Sequence, residues 1–563
     1  MFTKVKSKPS VEKLKQLLWI LPYIFVVGLW VHFCILNPIP FWQIDDDYPW
    51  HSISHALSIE SGFLGYSAIN HGVFNHPGIP FGYVSWIAYK LTVLTFSPVN
   101  NEFEILANEV ESFWLYAQSF ALLLTLVGMV FLNYIFRRSM IRFLLGVGIL
   151  FAASSAYLHS ALISLKIESF ALIYITVFYF LMYKWFDCTE QQQLALFRLK
   201  ILKCDILTII FGILTVFGAT LKIYYLAPAV GLIVALTISV WLGYIKKIVY
   251  LKTISIFIIS VFVSGIFVIF IVIDWHTFST LIKWNFKMLT HSGYYGSGEA
   301  GFIDAASVAT NFKRLAIQPI NIGFWIITVT VITAYISLFV VNRNIEKWKK
   351  NNLPFFCALM VGVTIGTIGL LKHYMPHYAI PVIATLTCFP LIEDRGLLSR
   401  VGVLTSFICL LISLAVLNIY FEEKKNNKNI NLAYSLIDDI KEIDQLPLMP
   451  QEKRVWGYRS FHPAGTVSMI KQYARSSYFT PLIDDLLEND ISPLDSRFRD
   501  TLKWKYVIFP KTYYPTEESI RLKSKSMFDF KVTKFKLEKK DKVLELENFF
   551  VVVKNSFPLT KGK

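Results

Sequence analysis

Apolar runs of membrane-spanning length, each closed by a short polar stretch, recur along the first three-quarters of the chain. A helix needs roughly 17–25 apolar residues to cross the hydrocarbon of a bilayer. Eleven segments read as spans: 17–36, 113–136, 143–162, 167–186, 206–221, 225–245, 253–273, 319–341, 354–371, 376–392 and 401–420. Beyond 420 the hydrophobicity drops and the pattern changes. "KWKYVIF" and "VLELENFFVVVK" read as strands, whereas "NLAYSLIDDIKEI" has helical spacing. The pattern predicts a polytopic α-helical membrane protein, residues 1–420, followed by a small soluble α/β domain, residues 421–563.

Charge orients the spans. Basic residues beside short loops stay cytoplasmic, and Lys4, Lys6, Lys8, Lys13 and Lys15 precede the first span. The inner loops then carry Arg137, Arg138 and Arg142; Arg198, Lys200 and Lys203; Lys246, Lys247 and Lys252; Arg343, Lys347, Lys349 and Lys350; and Arg395 and Arg400. The large loop 37–112 has Lys90 alone against eight acids and falls outside. An odd number of spans places the tail outside as well. The first segment ends in Asn37-Pro38-Ile39-Pro40, without a small-residue cleavage site, and reads as a retained anchor.

Composition agrees. The chain of 563 residues is 55% hydrophobic and 17% charged, with mean hydropathy +0.50. Its net charge of +16 is accounted for largely by the inner loops, so no nucleic-acid partner is implied. The six cysteines form no Cys-x-x-Cys pair, which argues against a zinc site or a disulfide framework.

The candidate chemistry lies outside. "FWQIDDDYPW" places Asp45, Asp46 and Asp47 just after the first span. Adjacent carboxylates repel one another and suit a cation, a proton or a substrate hydroxyl. A carboxylate shielded at the membrane surface serves as a general base. A solvated acidic turn is the plain alternative. His51 and His55, four apart, would share a helix face and, with Asp45 and Asp47, are the only metal candidates; magnesium or manganese is an option. "NHPGIPFGYVSWIAY" sets His76 at the head of a rigid turn, with Pro77 and Pro80 three apart and Gly78 between them, leading into an aromatic segment. "HSGYYGSGEAG", residues 291–301, reads as a mobile outer loop or as a lid.

Together, the acidic element Asp45-Asp46-Asp47 and the element His76-Pro77-Gly78-Ile79-Pro80 resemble those of the GT-C superfamily, membrane glycosyltransferases that use polyprenyl-phosphate sugars. The likeness is to the protein mannosyltransferase and aminoarabinose transferase type. Gly78 stands where the family has a second proline and Asn75 where it has an acid, so the sugar and the acceptor stay open. The resemblance implies an inverting transferase at the outer face of a bacterial plasma (inner) membrane. A loop acid would deprotonate an acceptor hydroxyl on a glycan, lipid or protein, which displaces the polyprenyl phosphate. Asp46 is the first candidate for that base and Asp45 the second, with Asp47 orienting the loop or holding an ion. The leaving phosphate needs cations at the same depth. Lys222, Lys313, Arg314, Lys372, His373 and His377 are the candidates, with Tyr374 beside them.

Two other readings compete. A flippase or transporter of lipid-linked saccharides would also need many spans, but it places ionisable residues near the midplane. Apart from Lys166 and Glu168, read as a short outer turn, the charges here lie at span ends or in loops. A non-catalytic envelope scaffold would be indifferent to substitution of the aspartates.

Overall fold

The computed structural model describes residues 9–41, 52, 56, 59, 78–96, 109–137, 139–153, 157–163, 165–192, 198–272, 275–291, 299–302, 304–318, 321–341, 346–372, 375–392, 401–446, 452–456, 503–510, 542–547 and 549–553. The helices are α1 (Pro9–Trp30), α2 (Ile79–Phe96), α3 (Val110–Phe136), α4 (Met140–Ala152), α5 (Ala171–Gln192), α6 (Arg198–Leu221) and α7 (Ala227–Trp241). They continue with α8 (Lys247–Phe267), α9 (Trp275–Thr290), α10 (Ala305–Ile317), α11 (Ile322–Val341), α12 (Glu346–Lys372), α13 (Ile380–Leu386) and α14 (Val401–Gln445).

Among the described residues, seven stretches are long and apolar enough to cross a membrane: Leu18–Leu36, Val110–Phe136, Ile167–Asp187, Cys204–Leu221, Ile223–Trp241, Lys247–Phe270 and Asn352–Lys372. An eighth is added if α10 and α11, bent by 94°, count as one span. Their outward side chains are those that lipid tolerates and water does not. Ile258, Ile259, Phe262 and Val263 on α8, and Val329 and Val340 on α11, are each more than half exposed. The pattern is that of a multi-pass helical membrane protein.

The four other predicted segments take different forms. Segment 143–162 is not one helix: α4 stops at Ala152, and a π-helical turn occupies Leu158–Ile163. Asn418 Nδ2 takes the freed carbonyls of Phe151 and Ala152 at 3.3 and 3.0 Å. Gln118 Nε2 donates to Ile163 O at 2.8 Å and the Cys34 thiol to Leu162 O at 3.2 Å. Broken backbone at membrane depth is tolerated where neighbouring side chains satisfy it in this way. Segment 376–392 is punctuated by Pro376, Pro381 and Pro390, which lack a donor N–H, and becomes two 3₁₀ turns flanking α13. Segment 319–341 becomes α11, and 401–420 is only the first part of α14.

The chain forms two compact units: Met1–Leu36, His55–Trp86 and Ala117–Lys424 in one, and Asn37–Ser54, Ile87–Tyr116 and Lys425–Lys563 in the other. The predicted boundary at 420 thus falls inside α14, and parts of the loop 37–112 group with the tail. In the first unit α7 packs on α12 and α6 on α8. Small residues allow it: a Cβ on Gly231 would lie 2.8 Å from Ala358 O, and Ser260 Oγ donates to Ile209 O at 2.7 Å.

In the second unit, the chain leaving the first span is held twice. The Phe41 N–H donates to both Glu111 carboxylate oxygens, at 2.9 and 3.2 Å, and Asn426 Nδ2 donates to Asn37 O at 3.0 Å. Phe41 meets Trp114 edge to face, ring centroids 5.5 Å apart. Among its described residues the tail holds four strands, β1 (Glu452–Trp456), β2 (Lys503–Pro510), β3 (Lys542–Glu545) and β4 (Phe549–Val553), in the order β1-β2-β4-β3. β1 and β2 run parallel; β4 is antiparallel to both β2 and β3. The predicted strand 503–509 lies within β2 and the helical 431–443 within α14, whereas the segment 543–554, read as one strand, divides into the antiparallel β3 and β4.

Candidate functional site

Three times in the first unit the chain makes the same manoeuvre. A residue in extended conformation precedes a one-turn 3₁₀ helix, which runs straight into an α-helix. Lys166 precedes Ile167–Phe170 and α5; Lys222 precedes Ile223–Leu226 and α7; Met375 precedes Pro376–Ala379 and α13. In each, the N–H three residues on returns to the extended residue's carbonyl: Ser169 to Lys166 at 2.8 Å, Tyr225 to Lys222 at 3.0 Å, Tyr378 to Met375 at 2.9 Å. The first turn carries strain as well. Leu165 sits at φ +36°, a left-handed value that branched side chains rarely adopt and that clusters at functional sites.

The three turns converge. Lys222 Nζ donates to Glu168 Oε1 at 2.7 Å, with the two side chains 3% and 0% exposed. Tyr224 OH donates to the same oxygen. Lys222 Nζ also lies 4.7 Å from the centre of the Tyr378 ring, in cation–π range. Lys166 Nζ and His377 Nδ1 are 3.0 Å apart, both side chains buried. Where Lys166 donates as an ammonium, Nδ1 accepts and the ring proton sits on Nε2. Around the charges stand Tyr225, whose OH reaches Ile167 O at 3.3 Å, and Tyr174, whose OH reaches Tyr225 O at 2.9 Å.

One polar atom is left over. Glu168 Oε2 is buried and has no hydrogen-bond donor among the described residues. A buried carboxylate oxygen without a donor costs free energy, and native structures rarely keep one without use for it.

The residue that leads into α2 reaches this cluster. Gly78, at φ +136°, donates its N–H to Thr220 O at 3.0 Å, two residues before Lys222. A Cβ there would come within 2.9 Å of Ile167 Cγ1, so the position needs glycine on both counts. His76 itself, with Asp45, Asp46, Asp47, His51, His55, His373 and Tyr374, lies outside the described residues.

The expected cation group divides. Lys222 and His377 join the buried cluster. Lys372, grouped with His377 by sequence, goes elsewhere: its Nζ donates to Leu289 O at 2.6 Å and lies 5.0 Å from the Phe302 ring centre. Arg314 is exposed on α10, beside Lys313. Lys166, Glu168, Tyr224 and Tyr378 were not anticipated. A signal for the first two exists in the chain: Leu165-Lys166-Ile167-Glu168-Ser169-Phe170-Ala171 and Leu221-Lys222-Ile223-Tyr224-Tyr225-Leu226-Ala227 share the pattern Leu-Lys-Ile-x-x-(Phe/Leu)-Ala. The repeat marks the two turns that place a lysine in the cluster.

Among the described residues no group of three or more His, Cys, Asp or Glu is placed to hold a metal ion. No family model, curated protein or solved structure matches the chain.

Proposed function

We propose that this chain is an inverting glycosyltransferase that moves a sugar from a polyprenyl-phosphate donor to an acceptor hydroxyl at the outer face of a bacterial plasma (inner) membrane. The observation that carries it is the convergence of three separate turns into one buried cluster of Lys166, Lys222, Glu168 and His377. All three turns fall on the side that the basic-residue pattern assigns to the outside, with eleven spans, the N-terminus inside and the tail outside. Lysines held in a desolvated site are what a leaving phosphate requires. Among the described residues Glu168 Oε2 has no donor, and a sugar or acceptor hydroxyl would supply one. The His76-Pro77-Gly78 element adjoins the same turns through Gly78. The acidic element follows the Phe41 anchor by four residues, and the base is Asp46, with Asp45 second. His373, Tyr374 and Arg314 stay donor-side candidates, and magnesium or manganese at Asp45 and Asp47 stays an option.

The test is direct. Lipids co-purifying with the protein are identified by mass spectrometry, and the matching polyprenyl-phosphate sugar is supplied with candidate acceptors. Release of free polyprenyl phosphate with transfer of the sugar supports the reading. Movement of the intact lipid-linked sugar across proteoliposomes, without release, would favour the flippase. That second reading has its own support, since buried ionisable residues in helical membrane proteins also mark transport paths.

A further inference from the structure

The helices α9 and α10, on either side of residues 291–304, fit neither a span nor the buried cluster. Both are amphipathic. On α9, Ile282, Phe286 and Leu289 form one exposed stripe, with exposed Lys283 and Lys287 beside it. On α10, Ala305, Ala309, Phe312 and Ala316 form another, flanked by exposed Lys313 and Arg314. Phe302 and Ile317 add exposed apolar surface at the two ends of α10. Spacing of three and four residues keeps each stripe on one helix face.

The pair is fixed in place. Asn311 Nδ2 donates to Leu371 O and Lys372 O, at 2.9 and 3.3 Å, and Trp325 Nε1 donates to Leu315 O at 2.9 Å. Lys372, at the end of α12, caps the last turn of α9 through Leu289 O, where a cation also meets the negative end of the helix dipole. Asp304 opens α10 as its N-cap. It accepts from the N–H groups of Ala306 and Ser307 and from the Ser307 hydroxyl, which holds its carboxyl below the usual range. Direction follows from the 94° bend between α10 and α11. With α11 crossing the bilayer, α10 lies in its surface.

We propose that α9 and α10 form an in-plane anchor seated at the headgroup level of the bilayer, with Lys283, Lys287, Lys313 and Arg314 engaging acidic phospholipid. Two observations select a lipid surface as the occupant. The pair is flanked in sequence by exposed apolar residues of membrane-spanning segments, Phe270 in the turn that ends the span begun by α8, and Ile322 and Ile326 on α11. Within the two helices every charged residue is a cation, the complement of an anionic headgroup layer, and Asp304 is engaged as the α10 N-cap. Lys372 thereby acquires a role as the clamp that sets the anchor on α12.

The test uses the full chain in nanodiscs of phosphatidylcholine, alone or mixed with phosphatidylglycerol. Nitroxide labels at Ile282, Phe286 and Phe312 should read the boundary of headgroups and acyl chains by oxygen and nickel-chelate accessibility. Labels at Lys283 and Lys287 should read the water side. Charge reversal of the four cations (K283E, K287E, K313E, R314E) should lower the phosphatidylglycerol retained around the protein severalfold, as read by native mass spectrometry. Replacement by glutamine should lower it less. Water-exposed readings at Phe286 and Phe312 would overturn the proposal in favour of a protein-facing surface, and mid-bilayer readings would make α10 the first half of a broken span. Unchanged phosphatidylglycerol retention in the reversed variant would overturn the assignment of the cations. The measurement is independent of sugar transfer, so the anchor and the transferase reading fail separately.

Discussion

Two lysine–carboxylate pairs of nearly equal length stand in opposite surroundings. Lys222–Glu168 is 2.7 Å long with side chains 3% and 0% exposed; Lys252–Asp205 is 2.6 Å long with side chains 48% and 29% exposed. The exposed pair joins α8 to α6 and is worth roughly 0–1 kcal/mol, because water screens both charges in either state. The buried pair has given up its hydration, a loss of several kcal/mol per ion that the attraction repays only with good geometry and further hydrogen bonds. Tyr224 and Tyr378 supply part of that support, yet among the described residues Glu168 Oε2 has no donor. Equal bonds thus carry different meaning. The solvated one is a fastening, whereas the buried, under-satisfied one marks a site.

The largest effect should come from splitting the buried pair. Lys222→Met leaves a carboxylate buried without its cation, a change that costs about 3–5 kcal/mol in such settings. Thermal unfolding in detergent measures it. Lys222→Met combined with Glu168→Leu should recover most of that loss, since apolar replacement of both partners is often neutral. The double variant should nonetheless have lost donor turnover. A stable and fully active double variant would show that the pair is only structural.

Next in size is the proposed base. Asp46→Asn should leave unfolding unchanged and lower turnover by roughly two orders of magnitude or more, the range for loss of a general base. Glu168→Gln is the companion experiment. If it alone abolishes turnover at intact stability and donor binding, the orphan Oε2 is the base and the acidic triplet is not.

The contrast between the two pairs was only partly legible in the chain. Hydropathy located the helices well, because burial in lipid demands long apolar runs irrespective of tertiary contacts. It also joined 143–162 into one span, since "SSAYLHSALIS" is apolar enough to hide a break that depends on Asn418 and Gln118, residues distant in sequence. Lys166 and Glu168 read as an unremarkable outer turn for the same reason: what buries them is the arrival of Lys222 and His377 from 54 and 211 residues away. Local spacing cannot report such a meeting. It did carry the Leu-Lys-Ile repeat, which is readable in the chain. Lys372 misled in the opposite sense. Its neighbours in sequence suggested phosphate, and only the position of Leu289 shows a helix cap.

Lys372 therefore gives the third, smaller effect. Lys372→Met removes one partly exposed, charge-assisted hydrogen bond to a carbonyl, worth roughly 1.5 kcal/mol, the low end for a charged group. Donor affinity should change less than tenfold, and amide exchange should rise over the last turn of α9. A larger loss of affinity with unchanged exchange would return Lys372 to the phosphate site and shift the boundary between clamp and cluster.

The smallest effect belongs to the exposed pair, and it is the control on which the comparison depends. Lys252→Met or Asp205→Asn should alter unfolding by no more than about 1 kcal/mol, because each charge left behind is solvated. Salt separates the two pairs further. At roughly 1 M ionic strength the screening length is near 3 Å, so the wild-type chain should lose what little Lys252–Asp205 contributes, and the Lys252→Met variant should then melt with the wild type. The Lys222→Met deficit should persist undiminished, since ions do not enter a site whose side chains are 3% and 0% exposed. If salt erased both deficits alike, the cluster would be open to water, and the physical reason for treating it as a site would be gone.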